Sequence, residues 1–118
     1  RDVLGSRGLG DVYKRQDGIN AAITYISTHL DEVSLQGAAD AAAMSVSTFS
    51  RFFKRVAGIG FADFVRRLRV GRACRLLTCT NMPIAKIQQL SGYTNASNFN
   101  RRFLEETGMT PSQYRREH

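Results

Sequence analysis

Cysteine is scarce in this 118-residue chain. The two present, Cys74 and Cys79, lie in no cysteine–histidine cluster, which excludes zinc-finger spacing and a disulfide framework. Two thiols in an apolar helix point to a reducing cytoplasm. Long apolar runs are missing: no stretch approaches the roughly 18 residues of a membrane span. No signal-peptide pattern is visible, so no membrane partner is expected. Alternating apolar–polar segments are absent too, which leaves no strand pattern to compete with helix. His29 and His118 have no Ser, Cys or carboxylate constellation beside them. Without paired carboxylates, a metal set or a nucleophile–base pair, the expectation is no enzyme, no metal and no cofactor.

Acidic residues are also few. Ten Asp and Glu stand against seventeen Lys and Arg, a net charge of +7. The excess is concentrated: Arg51, Lys54, Arg55, Arg66, Arg67, Arg69, Arg72 and Arg75 face the single acid Asp63 across that stretch. A basic surface gathers phosphates and favours a polyanion. Charge alone leaves a plain solvated basic face equally open.

The chain does not start with Met. Residues 1–16, RDVLGSRGLGDVYKRQ, are rich in glycine and charge and lack helical periodicity. The ending VYKRQ resembles translated sequencing-adaptor sequence, so 1–16 reads as a foreign or disordered segment, with a natural flexible linker as the alternative.

From Ile19 onward the pattern is helical. Ile19, Ile23, Ile26 and Leu30 recur at three- and four-residue spacing and predict a helix over 18–30. Ser34 is positioned to cap a second helix, Leu35 to Ala43. Ser45 is positioned to cap a third, ending before Gly58. A fourth runs over 61–77. Asn81 reads as the cap of a fifth, with Pro83 in its first turn. A sixth spans 96–107, and Thr110 caps a short seventh.

The second half echoes the first. Leu35, Ala38, Ala42, Ala43, Met44 and Ser45 match Ile84, Ile87, Ser91, Gly92, Tyr93 and Thr94 at an offset of 49. Phe49, Arg51, Phe53, Gly58, Phe61 and Phe64 match Phe99, Arg101, Phe103, Gly108, Pro111 and Tyr114 at an offset of 50, so one extra residue sits near Asn95. Each copy reads as helix, turn, helix and glycine stop, the layout of a helix-turn-helix. At 100° per residue, Phe49, Phe52, Phe53 and Val56 share an inward arc, while Ser47, Ser50, Arg51 and Lys54 face away. In the sixth helix Phe99 and Phe103 point inward, and Ser97, Asn100, Arg101 and Leu104 outward. Short polar groups with an Arg can follow a groove floor to base edges. An ordinary amphipathic helix explains one such face easily, but two in register less well.

These residues resemble the DNA-binding domain of the AraC/XylS family of bacterial transcription regulators. The matching segments are SLQGAADAAAMSVSTFSRFFKRVAG, FADFVRRLRVGRACRLL and PIAKIQQLSGYTNASNFNRRFLEETGMTPSQYR, spanning about 17–116. The resemblance implies an all-α fold: helix-turn-helix units at about 35–57 and 84–107, joined by a linking helix at about 61–77. It implies sequence-specific binding of double-stranded DNA for regulation of transcription, with helices 46–57 and 96–107 in successive major-groove segments. A non-specific or architectural DNA-binding module is the alternative. Carried over by position, Ser47, Ser50, Arg51, Ala96, Ser97, Asn98, Asn100 and Arg101 would read bases. Ser34, Lys54, Arg55, Asn81 and Lys86 would contact phosphates. RNA polymerase and a separate effector-binding or dimerisation domain are the further partners implied, in a cytoplasmic, nucleoid-associated protein.

Three departures from the pattern carry expectations. Gln88 replaces a small alanine, which predicts looser packing in the second unit. Ala38 replaces a larger aliphatic and thins the first core. Leu104, Glu105 and Glu106 stand where the first unit has Lys54 and Arg55, so the first unit should supply more of the affinity. Arg69 falls within the apolar arc of the fourth helix and needs a partner, for which Asp40 is the candidate.

Overall fold

The computed structural model describes residues 16–118. Among them are seven helices and no strand: α1 (16–28), α2 (Leu35–Ala41), α3 (Val46–Ala57), α4 (Phe61–Cys79), α5 (Ile84–Leu90), α6 (Ala96–Thr107) and α7 (Pro111–Glu117). Residues 1–15, which hold most of the segment expected to be foreign, lie outside the described residues. Gln16, placed in that segment, is helical.

The chain forms two units. One holds α1 through His29 together with Val33–Phe61; the other holds Leu30–Glu32 and Ala62–His118. The first unit buries Ile19, Ala22 and Ile26 of α1, the small Ala38 and Ala39 of α2, and Phe49 and Phe53 of α3. Phe61 closes this core edge-on, 5.7 Å from Phe49 and 5.6 Å from Phe53 between ring centres. Aromatic pairs prefer such edge contacts. Ile23, expected inside, is 39% exposed. With alanine at 22 as well as isoleucine at 19 and 26, the buried arc is centred away from Ile23, which falls at its edge.

The second unit builds its core from Val70, Ala73 and Leu77 of α4, Ile87 of α5, Tyr93, and Phe99 and Phe103 of α6. Rings run through it in sequence: Tyr93–Phe99 at 5.4 Å, Phe99–Phe103 at 5.9 Å, and Phe103–Tyr114 edge-on at 5.5 Å.

The repeat seen in the sequence is repeated in the backbone. In the first turn, the N–H groups of Ala42, Ala43 and Met44 donate to the carbonyls of Ala38, Asp40 and Ala39. In the second, those of Ser91, Gly92 and Tyr93 donate to Ile87, Gln89 and Gln88, the same pattern 49 residues on. Both turns pass through a left-handed residue, Ala43 at φ 58° and Gly92 at φ 90°. That conformation stops α2 at Ala41, two residues short of the expected Ala43. Ser45 then caps α3 by accepting from Thr48 N–H, and Asn95 caps α6 by accepting from Asn98 N–H, 50 residues apart. The inserted residue therefore lies in the turn before the Asn95 cap. Both α3 and α6 end on a left-handed glycine, Gly58 at φ 82° and Gly108 at φ 77°. Their N–H groups reach back to Lys54 and Leu104 carbonyls.

Asn81 does not cap α5. Pro83 occupies the cap position, with no side-chain hydrogen bond. Thr80 organises this corner instead: its hydroxyl donates to the Leu76 carbonyl and accepts from Met82 N–H. α4 runs on to Cys79, and α5 begins only at Ile84, so its cap position falls on Pro83, two residues past Asn81. Ser34 and Thr110 cap as expected; Thr110 forms a reciprocal box with Gln113.

Candidate nucleic-acid interface

α3 divides by burial. Phe49 and Phe53 are buried; Ser47, Arg51, Lys54 and Arg55 are exposed and Ser50 is half-buried. Two residues expected on the inner arc depart from it. Phe52 is half-buried, and Val56 is 49% exposed. Angle alone does not record where the packing partners stop, and Val56 lies in the last turn, a turn beyond the Phe49, Phe53 and Phe61 cluster.

α6 divides the same way. Phe99 and Phe103 are buried; Ala96, Ser97, Asn100 and Arg101 are exposed. Asn98 is half-buried, and its Oδ1 accepts from Arg101 Nη2 at 2.9 Å. The structure thus groups Ser47, Ser50 and Arg51 on one outer face, and Ala96, Ser97, Asn100 and Arg101 on another. Ser34, Asn81 and Lys86 are exposed outside these faces.

The two faces differ in charge. Arg51, Lys54 and Arg55 make no ion pair among the described residues. Around α6, Arg102 pairs with Glu105 at 3.1 Å, and exposed Arg67 lies 3.9 Å from Glu106. Surface pairs of this kind, each with one partly buried partner, add little stability, but they cancel local charge. The first face is cationic, and the second is polar with its acids partly matched.

Several arginines are committed to holding the fold. Arg69 Nε donates to the Leu30 carbonyl at 3.0 Å, and its guanidinium lies 5.8 Å from the Tyr93 ring centre. Asp40, expected as its partner, accepts instead from Gln36 Nε2 at 2.8 Å. A neutral carbonyl serves the half-buried guanidinium without a second charge leaving water. Arg72 donates to the Leu90 carbonyl at the end of α5. Arg115 donates to the carbonyls of Leu77 and Thr80 around the end of α4. Cations belong at helix C-termini, where carbonyls lack intrahelical partners. Arg72 and Arg115 escaped the sequence reading; only the match through TPSQYR gave a signal for Arg115.

Gln88 takes part in the second turn. Its side-chain amide donates to the Tyr93 carbonyl at 3.1 Å, while its own carbonyl accepts from Tyr93 N–H. The longer side chain thus adds one hydrogen bond across the second turn to a backbone bond that the first turn also makes, from Met44 N–H to the Ala39 carbonyl. Burial pushes the Cys74 thiol pKa up, against a hydrogen bond with Tyr114 and the charge of Arg75. A thiol held protonated is a packing group. Among the described residues no helix is long and apolar enough to cross a membrane.

Comparison with known proteins agrees with this geometry. The sequence pattern of a helix-turn-helix domain family matches residues 38–117. The regulatory protein PocR of Salmonella typhimurium is 35% identical over 97 residues, which is 81% of this chain and 32% of PocR. An HTH-type transcriptional regulator of Staphylococcus aureus is 34% identical over 100 residues, 84% of this chain and 13% of that protein. The chain thus spans a third or less of these relatives. The C-terminal domain of AraT, a response regulator from Geobacillus stearothermophilus, superposes with a TM-score of 0.81 at 30% identity, covering 86% of this chain and 85% of that one. The DNA-binding domain of AdpA, solved with a target DNA, shares the fold at a TM-score of 0.79 and 23% identity, over 84% and 90% of the two chains. The chain belongs to the AraC-type helix-turn-helix family of DNA-binding transcription regulators.

Proposed function

We propose that this chain binds double-stranded DNA sequence-specifically to regulate transcription, placing α3 and α6 in two successive major-groove segments. The observation that carries the proposal is the doubled motif. Two units with matching turn hydrogen bonds, caps and glycine stops each expose short polar side chains and one Arg at equivalent positions. Arg reads guanine through two acceptors, and Asn pairs with adenine. Ser47, Ser50 and Arg51 contact bases in one segment, and Ala96, Ser97, Asn100 and Arg101 line the other, with Asn98 beside Arg101. Lys54, Arg55 and Lys86, with the exposed Ser34 and Asn81, serve phosphates. AdpA, a fold relative, was solved on its target DNA.

RNA polymerase as a partner, and an effector-binding or dimerisation domain elsewhere in the full-length protein, belong to the same proposal. The greater length of the relatives supports the second. DNA binding places the work in the cytoplasm, at the nucleoid.

Selection of bound oligonucleotides from a random pool tests the reading. The expected result is a preferred site of roughly 20 bp, with two blocks about 10 bp apart and steep loss of affinity with salt. Equal affinity for all sequences would replace it with a non-specific or architectural module.

A further inference from the structure

One hydrogen bond lies inside the second reading face. Arg101 Nη2 donates to Asn98 Oδ1 at 2.9 Å. The residues are three apart on α6 and so are neighbours on one side of the helix. The Asn98 backbone is fixed at the helix start, where its main-chain N–H donates to the Asn95 cap at 2.9 Å. Asn98 is half-buried while Arg101 is exposed. At the repeat offset of 50 the first unit carries Thr48 and Arg51. Arg51 makes no hydrogen bond or ion pair among the described residues. Two arginines in equivalent places therefore differ in freedom.

We infer that Asn98 is a positioning residue for Arg101, not a reader of bases, and that it makes α6 the helix that demands a guanine. The inference rests on the reading that α3 and α6 enter DNA grooves, and it deepens that reading. An Asn that reads adenine accepts from the N6 amino group through its carbonyl oxygen. In Asn98 that oxygen is engaged with Arg101. A guanidinium has donors only, and the amide nitrogen of Asn98 is a donor too. With one lone pair of the Asn98 oxygen taken and that oxygen turned toward Arg101, the pair presents chiefly donors, which suits the O6 and N7 acceptors of guanine. A side chain already held in place also loses less freedom when it docks. Arg51, with Thr48 in the equivalent position and Lys54 and Arg55 beyond it, is free to take base or phosphate. The first unit supplies more of the anchoring, and the second fixes the guanine.

Selection of bound oligonucleotides with wild type, Asn98→Ala, Asn98→Asp, Arg101→Ala and the Asn98→Ala/Arg101→Ala double variant, alongside thermal melting, tests this. Wild type selects a guanine at one position of the α6 half-site. Asn98→Ala weakens that preference about tenfold, leaves the α3 half-site, the salt slope and the melting temperature unchanged, and adds nothing at that position once Arg101 is removed. Asn98→Asp keeps the acceptor and keeps the guanine. An Asn98→Ala variant that retains the guanine, or that loses a preference at a different base pair, overturns the inference. Failure of wild type to select any sequence overturns the broader DNA-reading proposal first, and so is distinguishable.

Discussion

Replacing Gly92 by alanine tests the second turn most directly. Gly92 sits at φ 90°, and an added Cβ would lie 2.9 Å from the Leu30 carbonyl oxygen and 2.8 Å from Arg69 Nε. The left-handed backbone costs a non-glycine residue about 1–2 kcal/mol. The close contact falls on both partners of the Arg69–Leu30 hydrogen bond, and a bond to a charged donor contributes about 1.5–3 kcal/mol. Restricting the unfolded chain returns about 0.4–1 kcal/mol. The net expectation is a loss of about 2–4 kcal/mol in the second unit. Ala43→Gly in the first turn is the mirror test. Ala43 is exposed at φ 58°, so relief of the left-handed cost, less the entropy of glycine, stabilises by about 0.5–1 kcal/mol. Urea denaturation followed by circular dichroism measures both. A Gly92→Ala protein within about 0.5 kcal/mol of wild type, or a destabilised Ala43→Gly protein, would refute the reasoning.

Other expectations follow from individual contacts. Arg51→Ala should weaken DNA binding and lower its salt slope more than Arg101→Ala in titrations at several salt concentrations, because the cations around α3 make no ion pair among the described residues; the reverse order would sink the division between units. Ser91 is fully buried with its hydroxyl unpartnered, so Ser91→Ala should raise stability by about 1 kcal/mol, and a loss on denaturation would count against this. Arg115→Met should cost about 2 kcal/mol by freeing the Leu77 and Thr80 carbonyls, yet leave the salt slope of DNA binding alone. Cys79 is exposed while Cys74 is half-buried with a raised pKa, so mass spectrometry should find Cys79 alkylated first. A pKa raised by folding marks stability that is present at neutral pH and lost as pH climbs past the ordinary thiol value near 9; Cys74→Ala should blunt that alkaline decline in melting temperature.

The helices, their stops and the doubling of the motif were legible because they depend on local chemistry. Ser34, Ser45 and Thr110 cap by reaching N–H groups three residues ahead, and Gly58 and Gly108 end helices through their own backbone freedom. The exposure of Arg51, Ser97 and Asn100 followed from helical angle alone. Angle failed at Val56 and Ile23, where burial depends on how far the partner extends and on which neighbours share the arc. It also had no means of showing that Asn98 faces Arg101, since i and i+3 residues can meet or turn to solvent.

Partners distant in sequence belong to the tertiary structure. Composition records seventeen basic residues, but not that Arg69, Arg72 and Arg115 spend their donors on the carbonyls of Leu30, Leu90, Leu77 and Thr80. A guanidinium's task depends on which oxygen is nearest, and across 18 to 39 residues of chain only packing brings that oxygen close. The same holds for Gly92, whose φ belongs to its turn while its lack of a Cβ answers to the Leu30 carbonyl. The local sequence determined two helix-turn-helix units with polar, arginine-bearing faces; packing decided which arginines remain free to serve those faces.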